Sequence, residues 1–151
     1  MRVLVTGATG FLGGHMVSKM AGGPHVPVCA HRQGSDTSKI DALGLEKTVL
    51  DLTDPASMRN ALRGVDAVLH LAAYYTFTGK KEMYEKVNVK GTGDLLEACR
   101  EAGVRRFVYC SSTEAMGPIA SPPGDEDSPL NPQYEYGRSK ARAEELVRAS
   151  G

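Results

Sequence analysis

The sequence predicts an α/β protein built on a doubly wound parallel sheet of about five strands, with helices on both faces. Two observations carry this. Short aliphatic runs alternate with longer helical stretches along the chain, and the runs are continuous, as strands buried on both faces require. In addition, three glycines at regular spacing sit directly between the first run and the first helical stretch. Residues 1–151 are expected to form one domain of this kind.

Arg2–Thr6 reads as a buried strand, aliphatic and largely β-branched, stopped by Gly7. Phe11–Met20 reads as a helix whose apolar face is Leu12, Met16 and Met20, at a spacing of four. A second strand is expected over residues 26–30, with Pro27 early, where a missing N–H costs least. Residues 48–50 give a third strand, and 55–63 a helix with Asp54 as N-cap and Pro55 at its first position. A fourth strand covers 67–71, a long helix 82–102 ends at Gly103, and a fifth strand covers 106–110. Residues 117–132, rich in Pro, Gly and acids, read as a loop of a length that in compact domains is usually functional or disordered. A helix over 133–149 follows, its charges (Arg138, Arg142, Glu144, Glu145, Arg148) forming a solvated face.

Composition excludes several classes. With 18 Lys plus Arg against 18 Asp plus Glu, the chain lacks the basic footprint of a nucleic-acid binder. No apolar run approaches the roughly 20 residues that span a bilayer, and the N-terminus turns to glycine too early for a secretory signal. Cys29, Cys99 and Cys110, odd in number and widely spaced, suggest neither a disulfide framework nor a zinc site, and no metal is expected. A soluble, cytoplasmic protein is expected. Its expected partners are a small-molecule substrate and, at most, a second copy in a homodimer, with no nucleic acid or membrane. The 17 glycines exceed the roughly eleven that average usage of about 7% would give.

Gly7, Gly10 and Gly13 lie where a phosphate loop would. A dinucleotide's pyrophosphate needs backbone at close range and a helix N-terminus offering N–H groups and positive dipole. Gly7 suits the tight turn, Gly10 the close approach, and Gly13 the packing of helix on strand. The spacing G-x-x-G-x-x-G, preceded by Thr6, resembles the extended short-chain dehydrogenase/reductase family, whose core is Rossmann-like. That family includes sugar-nucleotide epimerases and dehydratases, dihydroflavonol-type reductases and 3β-hydroxysteroid dehydrogenases. The resemblance implies that Gly7, Thr9, Gly10, Phe11, Leu12 and Gly13 line the cofactor.

The second strand ends in Ala30-His31-Arg32 with no acid before Asp36. NAD selection uses a carboxylate there and a basic residue favours a 2′-phosphate, so Arg32 tips the reading to NADP over NAD, with Ser35 or Lys39 assisting. The alternatives are that Arg32 is a solvated strand-end residue or stacks on adenine. The resemblance puts Asp51 and Leu52 at the adenine, although Asp51 equally suits a cap of the turn before the next helix. Ala72 and Ala73 match the small residues under the cofactor, and His70 reads as a packed strand residue rather than a catalyst.

Tyr136 and Lys140, four apart on the last helix, share one face. A phenol has a pKa near 10, and a nearby ammonium favours the phenolate, which suits Tyr136 to exchange a proton with a substrate oxygen. Lys140 would also hold the nicotinamide ribose. Ser111, Ser112 and Thr113 follow the fifth strand, at the edge where open α/β sheets bind ligands. Counting back from Gly117 as relatives do selects Ser112 to polarise the substrate oxygen, with Ser111 and Thr113 as alternatives. Tyr134 competes with Tyr136 but meets Arg138 four residues on, and an arginine cannot be tuned as a lysine can. Asn88 fits the family asparagine that holds the central strands together and approaches the cofactor and active site.

The resemblance therefore implies an NAD(P)-dependent epimerase, dehydratase or reductase with Ser112, Tyr136 and Lys140 as catalytic residues. Glu114 resembles the base of GDP-mannose-type dehydratases, but hydroxysteroid-type members carry a Glu there too. Thr113 replaces the Asp of dTDP-glucose-type dehydratases, and Met116 the tyrosine frequent in sugar-nucleotide enzymes. The alternative is a cofactor-binding module without catalysis. Family enzymes are about twice this length, so a C-terminal substrate domain is expected to be missing: the chain reads either as a fragment, inactive alone, or as a truncated protein that binds cofactor and needs a partner to complete its substrate site.

Overall fold

The computed structural model describes residues 1–151, and their contacts gather into two compact units. The first comprises Met1–Ala73 and Asp94–Cys110, the second Tyr74–Gly93 and Ser111–Gly151.

The first unit holds β1 (Arg2–Thr6), β2 (Val26–His31), β3 (Glu46–Val49), β4 (Ala67–His70) and β5 (Arg106–Tyr109). They form one parallel sheet in the order β3-β2-β1-β4-β5. The order turns back at β1, so ligand space opens beyond the carboxyl ends of β1 and β4. Between the strands run α1 (Phe11–Met20), α2 (Ser38–Ala42) and α3 (Pro55–Ala61). The inner strands β1, β2 and β4 are buried on both faces, which accounts for their unbroken apolar runs. Val3, Val5, Val17, Cys29 and Ile40 form a core against which Met20, Leu45 and Leu69 pack.

Three of the elements that differ from expectation are α1, α2 and β3. On α1 the buried residues are Gly13 and Val17, while Leu12 is exposed. The reason is local: Gly13 must lie against the Gly7 carbonyl, and that contact sets the helix rotation. β3 begins two residues earlier than apolarity suggests, because it is the sheet edge, where Glu46 and Lys47 face solvent. The short α2 has too few residues for a period, but Asp36 marks it: its carboxylate accepts from Ser38 N–H at 2.9 Å, holding its pKa below the usual carboxylate value. Asp54 caps α3 as expected, accepting from Ala56 N–H at 3.0 Å with Pro55 next to it.

The expected long helix resolves into a π-helical segment in the second unit, Tyr84–Lys90, followed by α4 (Gly91–Ala102), most of which belongs to the first. A short α5 (Thr113–Met116) precedes the 117–132 loop, and α6 (Glu135–Ala149) closes the chain. Asn131 N–H donates to the Met116 carbonyl at 2.9 Å and pins the loop at its base. No helix is long and apolar enough to cross a membrane.

The ends of β1 and β4 are tied by one hydroxyl. Thr6 Oγ1 accepts from the N–H groups of Leu71 and Ala72, both at 3.1 Å. Those bonds use both lone pairs, so the Thr6 hydrogen points to His70 Nδ1 at 2.7 Å, and the imidazole carries its proton on Nε2. Thr6 and His70 are fully buried, so His70 is a packed strand residue, as its place in an apolar run suggests. Thr6→Val keeps the shape but strips three buried groups of their partner. It should cost about 1–3 kcal/mol in urea unfolding, while Thr6→Ser should stay close to wild type.

Candidate active site

In the first unit, Gly7 follows β1 with φ +69°, a left-handed conformation natural to glycine. A Cβ on Gly7 would stand 3.0 Å from both N and Cα of Ala72, so the turn lies directly against the segment leaving β4. A Cβ on Gly13 would lie 2.0 Å from the Gly7 carbonyl oxygen, which no side chain tolerates. Gly10 caps α1 with no side-chain hydrogen bond, leaving the first-turn N–H groups open to an anion. Phe11 is exposed and packs edge-on to His15 at 4.8 Å. This backbone cradle, ending in an open helix N-terminus, fits the pyrophosphate of a dinucleotide.

Arg32 is exposed just beyond β2, and its carbonyl accepts from Ser35 N–H and from His31 Nδ1–H. Asp36, the first acid downstream, is committed to the start of α2. Asp51 Oδ1 accepts from the backbone N–H and the hydroxyl of Thr53, both at 2.8 Å, so the turn before α3 engages this carboxylate. Leu52 is buried.

The second unit gathers Ser112, Tyr136, Lys140 and Asn88. Ser112 N-caps α5, its oxygen accepting from Glu114 N–H at 3.2 Å, and this bond leaves the hydroxyl hydrogen unused. The neighbouring Ser111 hydroxyl oxygen is shut off from solvent, which sets Ser112 apart from it. Tyr136 and Lys140 lie one turn apart on α6. Lys140 is 3% exposed, whereas the rival Tyr134 is 70% exposed and outside the helix. Between them Gly137 lies flat on α5: a Cβ there would stand 2.2 Å from the Glu114 carbonyl oxygen. Glycine at this position brings the start of α6 onto the turn that Ser112 caps.

Asn88 differs from expectation in its partners. Rather than joining strands, its side chain accepts from Tyr74 N–H at 2.7 Å and donates to the Tyr74 carbonyl at 3.0 Å. It also donates to Ser139 Oγ at 2.9 Å, and it is 2% exposed. One amide thus clamps the segment after β4 to the helix carrying Tyr136 and Lys140. Asn88 lies within the π-helical turn, and its partners are 14 and 51 positions away in sequence.

Residues 74–77 were not among the expected site residues, yet one of them, Tyr75, packs against Tyr136. Tyr75 meets the Tyr136 ring edge-on at 4.8 Å and the Phe77 ring at 5.3 Å, and Tyr84 lies 6.4 Å from Tyr136. The only signal in the sequence is a run of aromatics in a loop that no apolar period explains. A cleft of about 290 Å³ under the 117–132 loop, walled by Pro118, Ile119 and Pro129, includes none of the expected catalytic residues. Burial pushes the Cys29 thiol up to about 11 and the Cys99 thiol up to about 12, so neither is a thiolate nucleophile at neutral pH.

The profile of the NAD dependent epimerase/dehydratase family matches residues 3–151. The chain belongs to that family. It is 40% identical to sterol demethylase protein B of Methylococcus capsulatus, over 97% of this chain and 46% of that protein. It is 32% identical to 2-alkyl-3-oxoalkanoate reductase of Stenotrophomonas maltophilia, over 99% of this chain and 46% of that one. Among solved structures, a short-chain dehydrogenase/reductase superfamily protein from Agrobacterium tumefaciens with bound NAD superposes with a TM-score of 0.83 at 36% identity. That match covers 99% of this chain and 44% of the other. The chain therefore spans about half the length of the relatives it matches. In this chain Gly137 lies against the Glu114 carbonyl and Asn88 ties Tyr74 to Ser139, so both set where α6 runs. Replacing Asn88 by Ala should strand the Tyr74 amide and carbonyl and cost about 2–3 kcal/mol in thermal or urea unfolding.

Proposed function

We propose that residues 1–151 form the cofactor-binding and catalytic part of an NAD(P)-dependent oxidoreductase acting at a carbinol or carbonyl carbon. The observation that carries this reading is the pair Tyr136 and Lys140, one turn apart on α6, with the ammonium-bearing side chain buried. Burial in a low-dielectric interior strengthens the pull of an ammonium on a nearby phenolate. In the reductive direction Ser112 donates its hydrogen to the substrate oxygen, and Tyr136 delivers its proton there as the carbonyl becomes a carbinol. Lys140 stabilises the phenolate left behind; oxidation runs these proton steps in reverse. A bound nicotinamide dinucleotide supplies or accepts the hydride. Gly7, Gly10 and Gly13 hold its pyrophosphate against the open end of α1.

Of the two dinucleotides, the exposed Arg32 and the committed Asp36 support NADP, through a charge-assisted bond to a 2′-phosphate. The Agrobacterium relative holds NAD, so both belong in any titration. Epimerases, dehydratases and reductases share the first proton and hydride exchange. The similarity to proteins named for a sterol and for an alkyl ketone supports a dehydrogenase or reductase among them.

Tyr136→Phe keeps the ring and removes the acid. Turnover of the full-length protein should fall about 10²–10⁴-fold, with dinucleotide affinity much less affected. Turnover unchanged by that substitution would overturn the assignment.

A further inference from the structure

Ser139 stands three residues after Tyr136 and one before Lys140 on α6. Its hydroxyl donates to the Tyr136 carbonyl at 2.7 Å. Serines often bond back along a helix in this way, and Ser18 and Ser150 do so to the carbonyls of Gly14 and Val147. Those two are exposed. Ser139 is 4% exposed, and its oxygen also receives a bond from another element, the Asn88 amide at 2.9 Å.

The direction of each bond is fixed. Tyr74 N–H needs an acceptor and its carbonyl a donor, so Asn88 turns its oxygen to the first and its nitrogen to the second. The other amide hydrogen goes to Ser139 Oγ, and the Ser139 hydrogen goes on to the Tyr136 carbonyl. In an α-helix that carbonyl also accepts the backbone N–H four residues along, here that of Lys140. The chain of bonds from Tyr74 therefore ends on the peptide oxygen that closes the turn between Tyr136 and Lys140. Its other end holds Tyr74, whose neighbour Tyr75 packs its ring edge-on against Tyr136 at 4.8 Å.

We infer that Ser139 is a positioning residue for Tyr136: together with Asn88 it ties the Tyr136 backbone to the segment carrying Tyr75, and so sets how the phenol stands relative to the Lys140 amine. This rests on the reading of Tyr136 and Lys140 as the proton-transfer pair. The pull of an ammonium on a phenolate falls with distance, and most steeply where water is excluded. Lys140 is buried, so a small shift of the turn changes how readily Tyr136 ionises. The other ionisable side chains packed near Tyr136 in this unit are Tyr75 and Tyr84, at ring contact, and Glu114, on the α5 turn beneath Gly137. None of these three is a cation. The charged pairs of the unit, Glu135 with Arg138 and Lys81 and Glu85 with Arg142, are exposed and screened by water.

The test needs no substrate. Phenolate absorbance of the full-length protein is titrated against pH beside its Tyr136→Phe variant, and the difference gives the Tyr136 step, expected below the ordinary phenol value of about 10. Ser139→Ala should fold, because alanine is the better helix former, and should raise that step by about half a pH unit or more while the other tyrosines titrate as before. Ser139→Thr keeps the hydroxyl and should leave the step closer to wild type. Should Ser139→Ala fail to fold, Ser139→Cys keeps the size with a weaker donor and should give a smaller rise. A Tyr136 step that stays in place once the Ser139 hydroxyl is removed, or that rises as far in Ser139→Thr as in Ser139→Ala, overturns the inference and leaves Tyr136 and Lys140 as the pair. A wild-type protein whose Tyr136 ionises as an ordinary phenol overturns the underlying reading instead.

Discussion

The carbonyl oxygen of Gly7 occupies the space where a side chain on Gly13 would begin, 2.0 Å from an ideal Cβ. That backbone contact sets the path of the first turn and the rotation of the first helix. It turns Val17 inward to the core and leaves Phe11 and Leu12 exposed beside the loop. It also leaves the cap of α1 free of side-chain bonds, so the helix N-terminus keeps its N–H groups for a ligand. The Thr6 hydroxyl holds the neighbouring end of β4 in place and thereby fixes Ala72 against Gly7. The cradle is therefore a consequence of missing side chains and one well-placed hydroxyl, not of charge.

The second unit uses the same device around Ser112 and α6. Gly137 rests on the Glu114 carbonyl and Gly117 on that of Asn131, so two glycines bring helix and loop to the turn capped by Ser112. Asn88 supplies the polar counterpart, with three hydrogen bonds from one buried amide. Each group that aligns Tyr136 and Lys140 is small, and the exposed aromatic residues stand in the one segment those bonds hold still. Exposed ion pairs such as Arg2 with Glu46 and Arg100 with Glu97 add little by comparison.

Much of this was legible beforehand because it is local. The parallel sheet flanked by helices follows from alternation, the Asp54 cap from an acid before a proline, and the tight glycine turn after β1 from glycines spaced between a strand and a helix. His70 was legible because it sits inside an apolar run. Tertiary geometry accounts for the rest. The face that α1 buries depends on one steric contact, and the extent of β3 depends on pairing at a charged edge. The partners of Asn88 lie far away in sequence, and the ring contact of Tyr75 with Phe77 and Tyr136 has no period that a loop could display.

The most direct test of the account is the affinity of reduced dinucleotides for the protein and its Gly10→Ala variant, read by nicotinamide fluorescence. Gly10 has φ −80°, which any residue adopts, and an added methyl would meet only the Gly7 carbonyl, at 3.2 Å. The fold should therefore survive with a melting temperature close to wild type. The methyl would stand where the pyrophosphate must approach, so affinity for NADH or NADPH should fall about tenfold or more, a loss of about 1.4 kcal/mol or greater. A wild-type protein that binds neither dinucleotide, or a Gly10→Ala variant that binds as tightly as wild type, would contradict the account.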